Sequence, residues 1–161
     1  MPDYLDISLT ISPDLPHWPG SPAIELSRRR DMDRGDPVND STLVCGVHTG
    51  TYVDAPLHFL ADGADVTHLS LDVLIGPAVV AELSDLDVIA ARDLEALELP
   101  ADTRRLLLRT RNSAIWQRGD REFHTDFVAL TVEAAQWVVA RGIRLIGVDY
   151  LSVQIFQGDP Q

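Results

Sequence analysis

The 161-residue chain carries 25 Asp and Glu against 13 basic residues, a formal net charge of −12, and such a body repels nucleic acid and other polyanions. Its 45% hydrophobic and 24% charged content is ordinary for a globular domain, and no apolar run approaches the ~18 residues that cross a bilayer. Every basic residue is Arg, which excludes a Schiff-base, Walker or kinase lysine, and the single Cys45 excludes an intrachain disulfide and a multi-cysteine zinc site.

The length suits one domain spanning residues 1–161. Met1-Pro2-Asp3-Tyr4 has neither a basic n-region nor an apolar h-region. With no bilayer-spanning run and no disulfide, the expected setting is cytoplasmic, without a membrane partner. Leu5 to Ile11 alternates apolar and polar residues, which predicts a strand with one face buried. Pro13, Pro16, Pro19 and Pro22 then hold the chain extended, and a strand resumes over Ala23 to Leu26. Arg28-Arg29-Arg30 is followed closely by Asp31, Asp33 and Asp36, and reads as a solvated face. Asp31 to Asp40 is a polar loop around Gly35-Asp36-Pro37. Ser41 to Val47 is the next strand, with Cys45 as a buried inert thiol.

Beyond residue 60 the pattern is more regular. Val66 to Leu74 predicts a short helix with Leu69, Val73 and Leu74 inward, and Gly76-Pro77 a turn. Ala78 to Leu83 reads as a buried strand, Asp93 to Leu97 as a helix stopped by Pro100, and Arg105 to Thr110 and Phe127 to Leu130 as strands. Thr131 caps a helix with Glu133 in its first turn, and that helix ends at Gly142. Ile143 to Val148 is a continuous apolar run, suited to a strand covered on both faces. These elements predict an α/β or α+β protein, without a glycine-rich phosphate fingerprint and without a doubly wound sheet.

The residues with metal-binding chemistry lie in one stretch, Gly46-Val-His-Thr-Gly-Thr-Tyr-Val-Asp-Ala-Pro-Leu-His-Phe59. His48, Asp54 and His58 offer nitrogen and oxygen donors, which suit Zn²⁺, Mn²⁺ or Fe²⁺. An extended strand rising about 3.3 Å per residue would hold His48 and Asp54 roughly 20 Å apart, far beyond the ~4 Å between two ligands of one ion. A shared site therefore requires the backbone to coil. Gly50 permits the coil, Pro56 fixes a second bend, and the segment reads as strand, tight turn, helix-like turn. The same spacing also fits a Gly/Thr/Pro loop with solvated histidines.

From His48 to Phe59 the sequence resembles the signature of the cyclase family, His-x-Gly-Thr-His-x-Asp-x-Pro-x-His, which includes bacterial kynurenine formamidase and isatin hydrolase. The resemblance extends to Asp6-Ile7-Ser8-Leu9-Thr10, to Trp18-Pro19-Gly20 and to Gly147-Val148-Asp149-Tyr150-Leu151-Ser152. It implies a swivelling β/β/α domain, assembled as a homodimer or higher homo-oligomer, that hydrolyses a small amide or lactam. N-Formylkynurenine is the first candidate substrate. It also implies a divalent metal, zinc first and manganese second. Carried over by position, His48 and Asp54 match metal ligands, His58 matches the general acid/base, and Trp18 lines the pocket for an aromatic substrate. Tyr52 stands where the family most often has His, and it has three readings: a ligand, a hydrogen-bond donor to substrate, or a residue that fills space.

Family chains continue beyond the point where this one stops, at Gly158-Asp159-Pro160-Gln161, and the resemblance therefore implies a C-terminally incomplete chain. Two alternatives accompany the enzyme: a non-catalytic relative without a complete metal site, and an assembly subunit. The remaining histidines read more plainly, with His68 at the surface, His124 in a turn before a strand, and His17 beside Trp18. Trp116 and Trp137 are expected to pack in the core. Asp149, at the end of a strand, fits a catalytic or a turn-capping role equally.

Overall fold

The computed structural model describes residues 5–157, so the four N-terminal residues and the stop at Gly158–Gln161 lie outside the described residues. Two units are distinguished, one formed by residues 1–53 and 120–123, the other by residues 54–119 and 124–161.

The first unit contains an antiparallel pair, β1 (Glu25–Arg30) and β2 (Asp40–Val44). Leu26 faces Leu43 and Ser27 faces Thr42, and the register shifts between Arg28 and Arg30. The loop between the strands is closed by its own polar side chains. Asp31 accepts from the Asp33 amide at 3.0 Å, Asp36 accepts from the Asp31 amide at 2.7 Å, and Asn39 accepts from the Met32 amide at 2.9 Å. The Arg28–Arg30 run is exposed along its length, as expected for a solvated face. Cys45 follows β2 and is half-buried rather than buried.

Leu5 to Ile11 is not a strand. It has no ladder partner among the described residues, and Leu5 and Ile7 are 85% and 66% exposed. Alternation describes a strand only where another strand satisfies its amides. Here the Leu9 amide is taken by the Thr51 hydroxyl at 3.0 Å.

The second unit is built on a parallel sheet of β3 (Val79–Glu82), β4 (Arg105–Arg109) and β5 (Leu145–Val148), with β4 in the centre. Parallel neighbours need crossovers. Helix α2 (Ala91–Glu95) lies between β3 and β4, and helices α3 (Ser113–Arg118) and α4 (Val132–Ala140) lie between β4 and β5. Leu106 and Leu108 alternate on one face of β4 and form the core with Ala81, Ile89, Leu94, Val128, Ala134 and Val138. Thr131 caps α4 by accepting from the Ala134 amide at 3.2 Å, and Asp93 reaches back to the Ala90 amide at 2.8 Å at the start of α2. Together with the hairpin, the architecture is mixed α/β.

Three expectations are corrected in this unit. Val66 to Leu74 is two turns, a 3₁₀ turn at Val66–His68 and helix α1 at Leu71–Leu74, because Asp65 and then Ser70 each open a new turn. Strand β5 is an edge strand with all four residues half-buried, so its apolar run does not mark a strand covered on both faces. Phe127 to Leu130 is buried but is not a strand. The fully buried Asn112 side chain takes both main-chain groups of Val128, donating to its carbonyl at 2.9 Å and accepting from its amide at 2.8 Å. A side-chain amide thus takes the main-chain groups of Val128, and among the described residues pairing with neighbouring backbone is confined to single parallel bridges of Leu130 with Ile89 and Gln154.

Arg105, on the central strand, reaches back some thirty residues. Its guanidinium donates to the carbonyls of Val73 and Ile75 at 2.7 Å each, and to that of Asp72, all at the end of α1.

Candidate metal centre

Strand β2 ends at Val44, and the chain then bends at residues 47–48 and again at 50–51 before a 3₁₀ turn at Pro56–His58. Gly50 adopts φ +67°, a left-handed conformation that only glycine takes readily. Pro56 occupies the first position of the 3₁₀ turn, where its fixed φ suits the helical start. The order of strand, tight turn and helix-like turn is the one the spacing requires. The coil draws the three candidate residues together: one ligand atom from each of His48, Asp54 and His58 lies within 4.8 Å of the others. His48 is half-buried, and Asp54 and His58 are exposed.

Two threonines, one on either side of Gly50, hold this segment. The Thr49 hydroxyl donates to the Gly46 carbonyl at 2.6 Å, and the Thr51 hydroxyl accepts from the Leu9 amide at 3.0 Å. The available signal is their position on either side of Gly50, where a short hydroxyl reaches the main chain and closes a turn. The Tyr52 ring meets the His48 ring edge-on, with centroids 5.1 Å apart and planes at 78°. The His58 ring meets Phe59 in the same manner at 4.3 Å. Each imidazole thus has an aromatic neighbour.

The Trp18 ring lies against Phe123 at a centroid distance of 5.1 Å. His68 is at the surface and pairs with Asp65 at 2.9 Å. His124 is half-buried, and its amide donates to the Tyr150 hydroxyl at 2.8 Å. Trp116 donates through its indole to the Asp149 carbonyl at 2.8 Å, and Trp137 packs against the core. The Asp149 carboxylate caps the turn leading into α3, accepting from the amides of Thr110 and Ser113 at 2.8 and 3.0 Å.

The donor set of two imidazoles and a carboxylate, converging within one ion's reach, fits a divalent cation. With two of the three residues exposed, such a set would leave a coordination position for water or substrate, the arrangement found in catalytic rather than structural sites.

Residues 5–154 match the model of the Cyclase family, described as "Putative cyclase". Kynurenine formamidase of Erythrobacter litoralis (strain HTCC2594) is 34% identical over 158 residues, covering 97% of this chain and 67% of that protein. Cyclase-like protein 3 of Oryza sativa subsp. japonica is 36% identical over 159 residues, covering 94% of this chain and 59% of that protein. A solved structure described as a "potential metal-dependent hydrolase with cyclase activity" superposes with a TM-score of 0.75 at 27% identity, covering 93% of this chain and 69% of its own. The chain thus spans about 60–70% of the length of the proteins it matches.

Proposed function

The chain belongs to the cyclase family, and from that premise we propose that it is a metal-dependent hydrolase of a small amide or lactam, with an aryl formamide of the N-formylkynurenine type as substrate and kynurenine plus formate as products. The observation that carries this reading is the convergence of His48, Asp54 and His58. The kynurenine formamidase among its relatives supplies the substrate class.

His48 and Asp54 are assigned as ligands of the ion, zinc in the first place and manganese in the second. A divalent cation in such a site supplies Lewis acidity to a carbonyl oxygen and lowers the pKa of water toward neutrality. His58 accepts the proton of the attacking water and returns it to the leaving nitrogen, a role that contributes about 10²–10⁴-fold. Trp18, whose ring is steadied by Phe123, is assigned the apolar contact with the aryl group. Tyr52 is assigned a supporting role beside His48 rather than a place among the ligands, since a phenol with a pKa near 10 is a poor donor at neutral pH.

We further propose a homodimer or higher homo-oligomer in the cytoplasm. In support of assembly, both strands of the β1–β2 pair are exposed, with Leu26, Leu43 and Val44 each about half accessible, and an isolated two-stranded sheet is marginal in water. The lone Cys45 is compatible with a reducing compartment.

The deciding experiment is incubation of the zinc-loaded protein with N-formylkynurenine. Release of formate and kynurenine, with about one or two ions bound per chain, is the expected result. A zinc-loaded protein that leaves aryl formamides intact would overturn the substrate assignment.

A further inference from the structure

His58 sits in the outgoing leg of a small closed loop, residues 55–64. The Phe59 and Leu60 amides donate to the Pro56 carbonyl at 3.1 and 2.9 Å, and the Gly63 amide donates to the Leu60 carbonyl at 2.8 Å. The Leu57 amide then donates across the loop to the Ala64 carbonyl at 3.1 Å. Side-chain burial does little to order this loop, because Leu57, Phe59 and Leu60 are all exposed. Its conformation depends on main chain meeting main chain.

The closest of these approaches is at Gly63. A Cβ there would lie 2.6 Å from the Pro56 carbonyl carbon, 2.7 Å from the Leu57 nitrogen and 2.8 Å from the Pro56 oxygen. All three are backbone atoms, so no side-chain rotation relieves the clash. The turn that would have to move is Pro56–His58, which carries His58.

We propose that Gly63 is a positioning residue for the candidate metal centre: the absence of a side chain lets the loop close onto Pro56 and Leu57, and that closure sets the direction in which His58 is presented to His48 and Asp54. The inference rests on the reading of those three residues as one metal site. Gly63 touches neither substrate nor metal and acts only through the turn. Groups that orient the residues of a metal centre typically change its affinity or activity by about 10–100-fold when altered, and here the effect falls on activity, since His58 is assigned the proton transfer.

The test is Gly63→Ala in the 161-residue chain, followed by NMR of the histidine rings and by hydrolysis of an aryl formamide with the zinc-loaded protein. The His58 ring resonances are expected to move while those of His17 and His124 stay in place, and kcat to fall by about 10–100-fold. Leu94→Ala serves as the opposite control: it opens a cavity in the core and lowers Tm, yet leaves the His58 resonances and the kcat of the folded protein unchanged. Should Gly63→Ala not fold, inserting one glycine between Ala61 and Asp62 loosens the same closure without adding a Cβ, and is expected to move the His58 resonances in the same way. His58 resonances that keep their wild-type positions, in either variant, overturn the positioning role. The ring resonances report on the loop without any metal, so this outcome is independent of the hydrolase reading, which fails separately if the zinc-loaded wild-type protein cleaves no aryl formamide.

Discussion

Asp149 and Thr110 are joined twice: one carboxylate oxygen accepts the Thr110 amide and the other its hydroxyl, each at 2.8 Å. The same carboxylate takes the Ser113 amide at 3.0 Å and the Ser113 hydroxyl at 2.7 Å. A residue at the end of the edge strand β5 thereby fixes the turn by which the central strand β4 enters α3. Asp149→Asn replaces one acceptor oxygen by a donor facing other donors, and is expected to destabilise the fold by about 1–3 kcal/mol. Zinc affinity of the folded protein should stay at the wild-type value. Chemical denaturation paired with calorimetry checks both, and a stable variant with weakened zinc binding would move Asp149 into the metal centre.

Asp54 is the residue that metal binding can least spare, because it brings the only carboxylate of the group. Asp54→Ala should abolish bound zinc and hydrolysis together. Elemental analysis of the purified variant decides the matter, and stoichiometric zinc retained without Asp54 would remove it from the ligand set.

His58 is expected to separate from Asp54 in its effects. His58→Ala should leave zinc content nearly intact while kcat drops by about 10²-fold or more. If the metal leaves with the imidazole, His58 belongs among the ligands and the proton is moved by another group.

Tyr52 is assigned a contribution through its ring, which meets the His48 imidazole edge-on. Tyr52→Phe keeps that contact and should bind zinc like the wild type. Tyr52→Ala frees the imidazole and should bind about 10-fold more weakly, whereas Tyr52→His adds a donor and should bind more tightly. A metal-free Tyr52→Phe protein would establish the phenolate as a ligand.

Asp65 sets an acid limit on the turn that follows the loop. Hydrogen bonds from the Thr67 hydroxyl, then from His68 and the Thr67 amide, hold its carboxyl down at about 2. The unfolded chain would titrate this group near pH 4. The native state therefore gains from Asp65 above about pH 4, and that gain fades as the pH falls toward about 2. Tm measured across that window should fall less steeply in Asp65→Asn than in the wild type, and identical slopes would show that the carboxylate contributes nothing to acid stability.

The features legible in the sequence are those written locally. Gly50 and Pro56 announce a coil between His48 and His58, Thr131 announces the start of α4, and the apolar run of Arg105 to Thr110 announces the central strand. What stays hidden depends on partners distant in sequence. Among the described residues Leu5 to Ile11 has the pattern of a strand and no ladder partner, while in the run Phe127 to Leu130 the main-chain groups of Val128 go to an asparagine sixteen positions earlier. The two readings of Asp149 could be separated only by seeing which amides surround it. At the candidate site the donors were legible and the closure of the loop behind His58 was not, because Gly63 acts through main-chain atoms of Pro56 and Leu57 whose positions no residue spacing reveals.

The reach of Arg105 has a consequence for the order in which the protein forms. A four-residue helix cannot offset the entropy of its own nucleation, and α1 closes its last carbonyls on a guanidinium that arrives some thirty residues later, on the central strand. The segment 71–75 thus has nothing to end on until β4 has docked beside β3. Amide protons of Val73 and Ile75, which bond to the carbonyls of Ser70 and Leu71, should exchange with solvent together with those of β4, as one cooperative unit, although the two stretches are far apart along the chain.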